Sequence, residues 1–159
     1  MDLSDLVYEA VKNSFEAGAS KVEVEVDSSD GLIHFSIDDD GDGKFPDDPF
    51  SLDVSTKGEN RGKGLFFIRE SSIDAAISRS GGKTHLRFFL KGSAEDFKPE
   101  DFLAPALNMG LDVVLVLKKN GKEAVRLDEG TWKGLDFSKG SDLSLLRRLV
   151  IKRSKEWLN

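Results

Sequence analysis

The sequence predicts an α+β fold, a two-layer α/β sandwich in which helices cover one face of a mixed sheet and an α/β extension follows. Three observations carry this. An amphipathic helical stretch opens the chain, apolar residues then alternate in paired runs, and a further helix, hairpin and helix close it. Glycine-bearing turns separate the alternating runs, as short hairpins require.

With 159 residues the chain has the length of one domain carrying a small appendage. Residues 1–92 and 93–159 are the two units, either sharing a sheet or packing apart. A chain of this size buries roughly 70% of its unfolded surface, enough for a real core. Lys and Arg total 23 against 29 Asp and Glu, a net charge of -6. That balance argues against a general nucleic-acid or membrane-surface binder. Cysteine is absent, which excludes disulfides and thiolate metal sites. No apolar run approaches the roughly 20 residues of a membrane span, and no signal-peptide pattern opens the chain. A cytoplasmic protein is expected.

The first element is a helix over residues 3–17. Leu3, Leu6, Val7, Ala10, Val11 and Ser14 share one face, Asp2 or Ser4 can cap the start, and Gly18 can stop it. Glu9, Asn13 and Glu16 share the opposite stripe, which on its own is an ordinary solvated face. A hairpin follows, with Val22, Val24 and Val26 alternating against charges, a turn at residues 28–31, and Ile33, Phe35 and Ile37 as the second buried face.

An acidic, glycine-broken turn, Asp38 to Gly43, ends that strand. Asp38, Asp40 and Asp42 with Gly43 sixth match the start of a calcium loop, but Pro49 stands where that loop needs a glutamate and a strand enters it instead of a helix. The other reading is D-x-G-x-G over Asp39, Gly41 and Gly43, an aspartate at a strand end with glycines that let backbone approach a flat ligand. Residues 44–61 look irregular, broken by Pro46 and Pro49. Lys57, Arg61 and Lys63 form a basic cluster in an acidic protein, either a solvated loop or an anion contact. Gly62 and Gly64 open a short apolar helix at Leu65–Ile68, and glycines at a helix start expose amides to an anion. Two strands at 75–78 and 84–90 surround Ser80-Gly81-Gly82.

Together these stations resemble the ATP-binding domain shared by type II topoisomerases, heat-shock chaperones, sensor histidine kinases and mismatch-repair MutL proteins, the GHKL or Bergerat-fold superfamily. Glu9-x-x-x-Asn13 with Glu16-Ala17-Gly18-Ala19 is similar to its first motif and Asp39-x-Gly41-x-Gly43 to its second. Pro49-Phe50 with Gly62-x-Gly64 resembles the histidine-kinase form of the third, and Thr84 after Gly81-Gly82 the fourth. Each motif is short, and it is their order and spacing over residues 5–90 that carry the likeness.

The resemblance implies roles. Asp39 would accept from the amine of adenine, with Thr84 bonding the same carboxylate and a bridging water. Gly41 and Gly43 would admit base and ribose, and Asn13 would offer its amide oxygen to Mg²⁺. Gly62, Gly64 and the Lys57, Arg61 and Lys63 cations would close over the phosphates. Glu9 would act as general base toward water or a protein hydroxyl, and Glu16 would support the magnesium shell through water. The sequence as given starts at the first motif, and His34 and His85 fall in strands, so phosphorylation in cis is not expected. The short lid is closer to histidine-kinase-like and anti-sigma-factor-like proteins than to gyrase.

After a polar linker at 91–96, residues 100–108 read as a helix, 112–117 and 123–127 as strands around Asn120-Gly121, and a last helix begins near Ser141 with a basic later half. The expectation is an ATP and Mg²⁺ binder with weak hydrolysis or phosphotransfer to a regulatory protein partner, open to oligomer formation. A nucleotide-gated interaction module without turnover and a divalent-ion-binding or structural protein are the alternatives.

Overall fold

The computed structural model of the chain describes residues 2–43, 49–50 and 63–159. The elements run α1 Leu3–Glu16, β1 Lys21–Ser29, β2 Leu32–Asp39, α2 Lys63–Ser71, β3 Asp74–Ser80, β4 Lys83–Lys91, α3 Pro99–Asn108, β5 Asp112–Lys119, β6 Lys122–Leu127, α4 Glu129–Trp132 and α5 Gly140–Leu158. A 3-10 turn at Ala94–Asp96 lies between β4 and α3.

Six strands form one sheet in the order β3-β4-β2-β1-β5-β6. All neighbours are antiparallel except β1 and β5, which run parallel from Lys21 beside Asp112 to Ser28 beside Lys119. The α+β class and the mixed sheet therefore agree with the expectation from sequence. The segment after residue 93 continues the sheet of the first unit, since β5 joins β1 directly.

Alternation decides which face is covered. Val22, Val24 and Val26 of β1 and Ile33, Phe35 and Ile37 of β2 point one way and are buried, with charged and polar residues between them on the other side. Residues 113–117 of β5 are buried in an unbroken run, the pattern of an interior strand with a parallel neighbour. On the covered face α1 contacts α2 and α3, and α3 contacts α5. Burying one such aliphatic or aromatic side chain contributes about 1.5–3 kcal/mol, so this apolar layer is the main stabilising term.

Local signals set the ends. Asp2 accepts from the Asp5 amide at 2.9 Å and Asp5 accepts from the Asp2 amide at 3.1 Å, a reciprocal cap that starts α1. Gly18, with φ +80°, ends it. The first two hairpins are tighter than the sequence suggests, whereas the third turns at Asn120-Gly121 as expected. The first turn is Asp30-Gly31 alone, with φ of 54° and 75°, and the second is Gly81-Gly82, with φ of 59° and 75°. Positive φ at both central residues matches strand twist, so the strands run to the turn itself.

The closing helix also differs. It begins at Gly140, one residue before Ser141, with Lys139 at the cap position, so Ser141, which the sequence offers as a cap, lies inside the helix. Leu146, Val150, Ser154 and Trp157 are its buried positions, while Leu145 is 46% exposed. Trp157 donates its indole N–H to the Lys118 carbonyl at 2.7 Å, fastening the end of α5 to β5. Arg147 pairs with Asp101 of α3 at 2.9 Å.

Candidate functional site

α1 crosses the covered face so that its inner side meets the ends of β2, β3 and β4. There Ala10, Asn13, Ser14 and Ala17 face Ile37, Asp39, Gly43, Leu65, Ile77, Thr84 and Leu86 around one pocket of about 470 Å³, mouth included. Its walls are mostly apolar, with a few convergent polar groups.

Asp39 is the last residue of β2 and is 7% exposed. Alternation turns it inward, and two donors meet it. The Ser14 hydroxyl donates to Oδ2 at 2.7 Å and the Gly41 amide donates to Oδ1 at 2.8 Å. A carboxylate accepts about four hydrogen bonds, so roughly two acceptor positions remain toward the pocket. Thr84 of β4 stands directly across from Asp39 in the register and is equally buried. The hydroxyl bound to Asp39 is thus that of Ser14, whereas the Thr84 oxygen accepts an N–H from Arg79 at 2.9 Å.

Gly41 packs on the end of α1. A β-carbon there would fall 2.9 Å from the Ala17 carbonyl oxygen, which already accepts from the Asp42 amide at 2.9 Å. Gly43 has φ +68° and lies against the Arg79 guanidinium. Both glycines of the turn are therefore required by close approach or by backbone conformation.

Glu9 and Asn13 lie one turn apart on α1 and meet the start of α2. A β-carbon on Gly64 would fall 2.8 Å from Glu9 Oε2, 3.1 Å from Glu9 Cβ and 3.4 Å from Asn13 Nδ2, so a larger residue would have to displace the Glu9 side chain or the helix. The positive end of α2 beside the Glu9 carboxylate is electrostatically favourable. Asn13 Nδ2 is buried without a hydrogen-bond partner among the described residues, an orphan at the pocket wall.

The structure thus brings together Glu9, Asn13, Asp39, Gly41, Gly43, Gly64 and Thr84. Lys57, Arg61 and Gly62 lie outside the described residues, as does the side chain of Lys63, although Lys63 opens α2. Pro49 is buried and Phe50 packs against the core.

Asp40 and Asp38 of the turn are engaged elsewhere. Asp40 accepts from the Ser20 and Lys21 amides at 2.8 and 3.0 Å and from the Ser20 hydroxyl at 2.8 Å, clamping the start of β1. The Lys21 amide and the Ser20 hydroxyl hold its carboxyl below the ordinary range. Asp38 points to the opposite face of the sheet from Asp39, where one of its oxygens meets both His85 Nδ1 and Arg87 Nη1 at 2.7 Å. Burial works against its ionisation, but the hydrogen bonds and charges of Arg87 and His85 outweigh that and hold its carboxyl low. The Ser80 hydroxyl meets the other ring nitrogen of His85 at 2.9 Å. Asp38 and Asp40 are thus committed on different sides, unlike the converging ligands of a calcium loop. Among the described residues no group of three or more His, Cys, Asp or Glu gathers as a metal site.

Two residues of the pocket escape the motif reading. Ser14 sits in the apolar stripe of α1, and a lone hydroxyl there is the signal that a buried polar partner awaits it. Arg79 follows Ala75 and Ile77 at alternate positions of β3, and although it is exposed overall, its guanidinium bonds Gly41 and Thr84 at the pocket's edge. A search against protein-family models finds no match to the chain, and a search of curated proteins finds none either. No helix among the described residues is long and apolar enough to cross a membrane.

Proposed function

We propose that the chain is an ATP- and Mg²⁺-binding domain of the Bergerat type, with slow hydrolysis or phosphotransfer to a protein partner. The observation that carries this reading is the buried Asp39 carboxylate, held by Ser14 and Gly41 with acceptor capacity left toward an apolar pocket. A desolvated carboxylate is costly unless its ligand repays it, and a purine amine is a donor of the right kind. Ala10, Ile37, Leu65, Ile77 and Leu86 supply flat apolar contact of the sort that sandwiches an aromatic base.

Asn13 is the residue to hold the cation. Its amide oxygen is the ligand the resemblance implies, since Mg²⁺ takes one or two protein oxygens while phosphates and waters complete its shell, and its orphaned Nδ2, a donor, fits an acceptor such as a phosphate oxygen that arrives with the nucleotide. When bound, the ion would neutralise charge on the phosphates. Glu9, one helical turn away and facing the glycine start of α2, would accept a proton from an attacking water or hydroxyl at Oε2. The basic cluster Lys57, Arg61 and Lys63 is left to the phosphates by the resemblance alone.

Calorimetry of the protein with ATP, with and without Mg²⁺, tests the reading. Binding that depends on magnesium and weakens about tenfold or more in Asp39→Asn is expected, since an amide presents its own N–H to the purine amine. Equal affinity in the two proteins would overturn it. If ATP binds but is never turned over, the second reading, a nucleotide-gated interaction module, takes its place.

A further inference from the structure

Arg79 reaches across the mouth of the pocket from β3. Its Nη1 donates to the Gly41 carbonyl at 3.0 Å and to the Thr84 hydroxyl oxygen at 2.9 Å, and Nη2 donates to the Gly82 carbonyl at 3.3 Å. The guanidinium lies so close over Gly43 that a β-carbon there would fall 2.1 Å from Nη1. Both hydrogens of Nη1 are therefore spent inside the site.

That arrangement has a chemical direction. A guanidinium donates and never accepts, so the oxygen of Thr84 is an acceptor toward Arg79 and keeps its own hydrogen to give away. Asp39, directly opposite Thr84 in the register, is an acceptor alone when ionised. Side by side the two offer the pocket one acceptor and one donor. The edge of adenine carries an amine donor next to a ring-nitrogen acceptor. The edge of guanine carries the reverse, a carbonyl next to a ring N–H. Resting on the nucleotide reading above, we propose that Arg79 sets the base selectivity of this pocket by fixing the polarity of the Thr84 hydroxyl. Arg79 acts through Thr84 and is a positioning residue. Without it the hydroxyl turns freely and can accept from the ring N–H of guanine, which leaves Asp39 alone to oppose that base.

The test compares ATP and GTP affinities, read by calorimetry with Mg²⁺, across the parent, Arg79→Ala, Arg79→Lys, Thr84→Val and the Arg79→Ala/Thr84→Val double variant. Arg79→Ala is expected to narrow the preference for ATP about tenfold, and Arg79→Lys, which keeps a donor for Thr84, to restore most of it. In the Thr84→Val background, removing Arg79 is expected to change the preference by less than about twofold, because the hydroxyl through which it acts is gone. An unchanged preference in Arg79→Ala, or a loss as large in the Thr84→Val background as with the threonine in place, would overturn the role of Arg79 while leaving ATP binding intact. A parent protein that binds neither nucleotide overturns the nucleotide reading and this selectivity together.

Discussion

The Ser14 hydroxyl lies 2.7 Å from Asp39 Oδ2, joining the last turn of α1 to the last residue of β2. The bond couples a helix face to the buried Asp39 carboxylate of the pocket, so its loss is felt in stability and in binding. Ser14→Ala leaves Oδ2 short of a donor where water cannot easily replace it, at a cost of about 1–3 kcal/mol. Urea denaturation should show stability falling by that amount, with ATP affinity falling in parallel. A midpoint equal to the parent's would mean the bond stabilises nothing.

Glu9→Gln removes a proton acceptor and keeps the shape. ATP turnover should drop about 10²–10⁴-fold, the usual worth of a general base, with affinity close to that of the parent. A steady-state phosphate-release assay checks it. Turnover that survives the change points to a different base.

Gly64→Ala tests the close approach of α2 to α1. The added methyl would sit 2.8 Å from Glu9 Oε2, so either the carboxylate swings away or the helix retreats. Overpacking of this kind costs about 1–3 kcal/mol. Turnover should fall more than ATP affinity, since the methyl meets Glu9 before it meets the pocket beside Asp39. Parallel losses in both would place the damage in the fold.

Asp38 makes stability depend on pH in a defined direction. Its carboxyl is held below the ordinary range by Arg87 and His85, against the opposing effect of burial. A group depressed in the folded state contributes stability above its unfolded pKa, and that contribution is lost as pH falls through the folded value. Asp38→Asn should therefore destabilise the protein at neutral pH, and the gap from the parent should close in strong acid. Urea midpoints measured from pH 7 down to about 3 check this. A gap that stays constant would assign Asp38 no role in acid sensitivity.

The fold is legible where the residue pattern is repetitive. The valines of β1 and the apolar stripe of α1 state their period without help from the rest of the chain. The parallel contact of β1 with β5 is not, because an alternating strand shows which face is buried and never which neighbour lies beside it. α4 escapes for another reason. Four residues, Glu129–Trp132, are too few for a period, and what starts them is Asp128 accepting from the Gly130 amide at 3.0 Å. Within the pocket, Asp39, Gly41, Gly43 and Thr84 are visible as a motif with spacing. Ser14 reads as one more member of an apolar face, and Asp38 as one more acid in the turn. A strand reverses its side at every residue, so adjacent aspartates 38 and 39 belong to different surfaces of the molecule.

The sheet order also dictates how the molecule can be made. β1 leaves a ribosome well before the partner for its second edge, β5, which is translated about ninety residues later. Until then the valine-rich ribbon has bare amides and carbonyls along one side, the condition under which nascent chains pair with one another. A version cut after residue 92 would keep that rim permanently uncovered, so the pocket beside Asp39 depends for its solubility on a strand that does not line it.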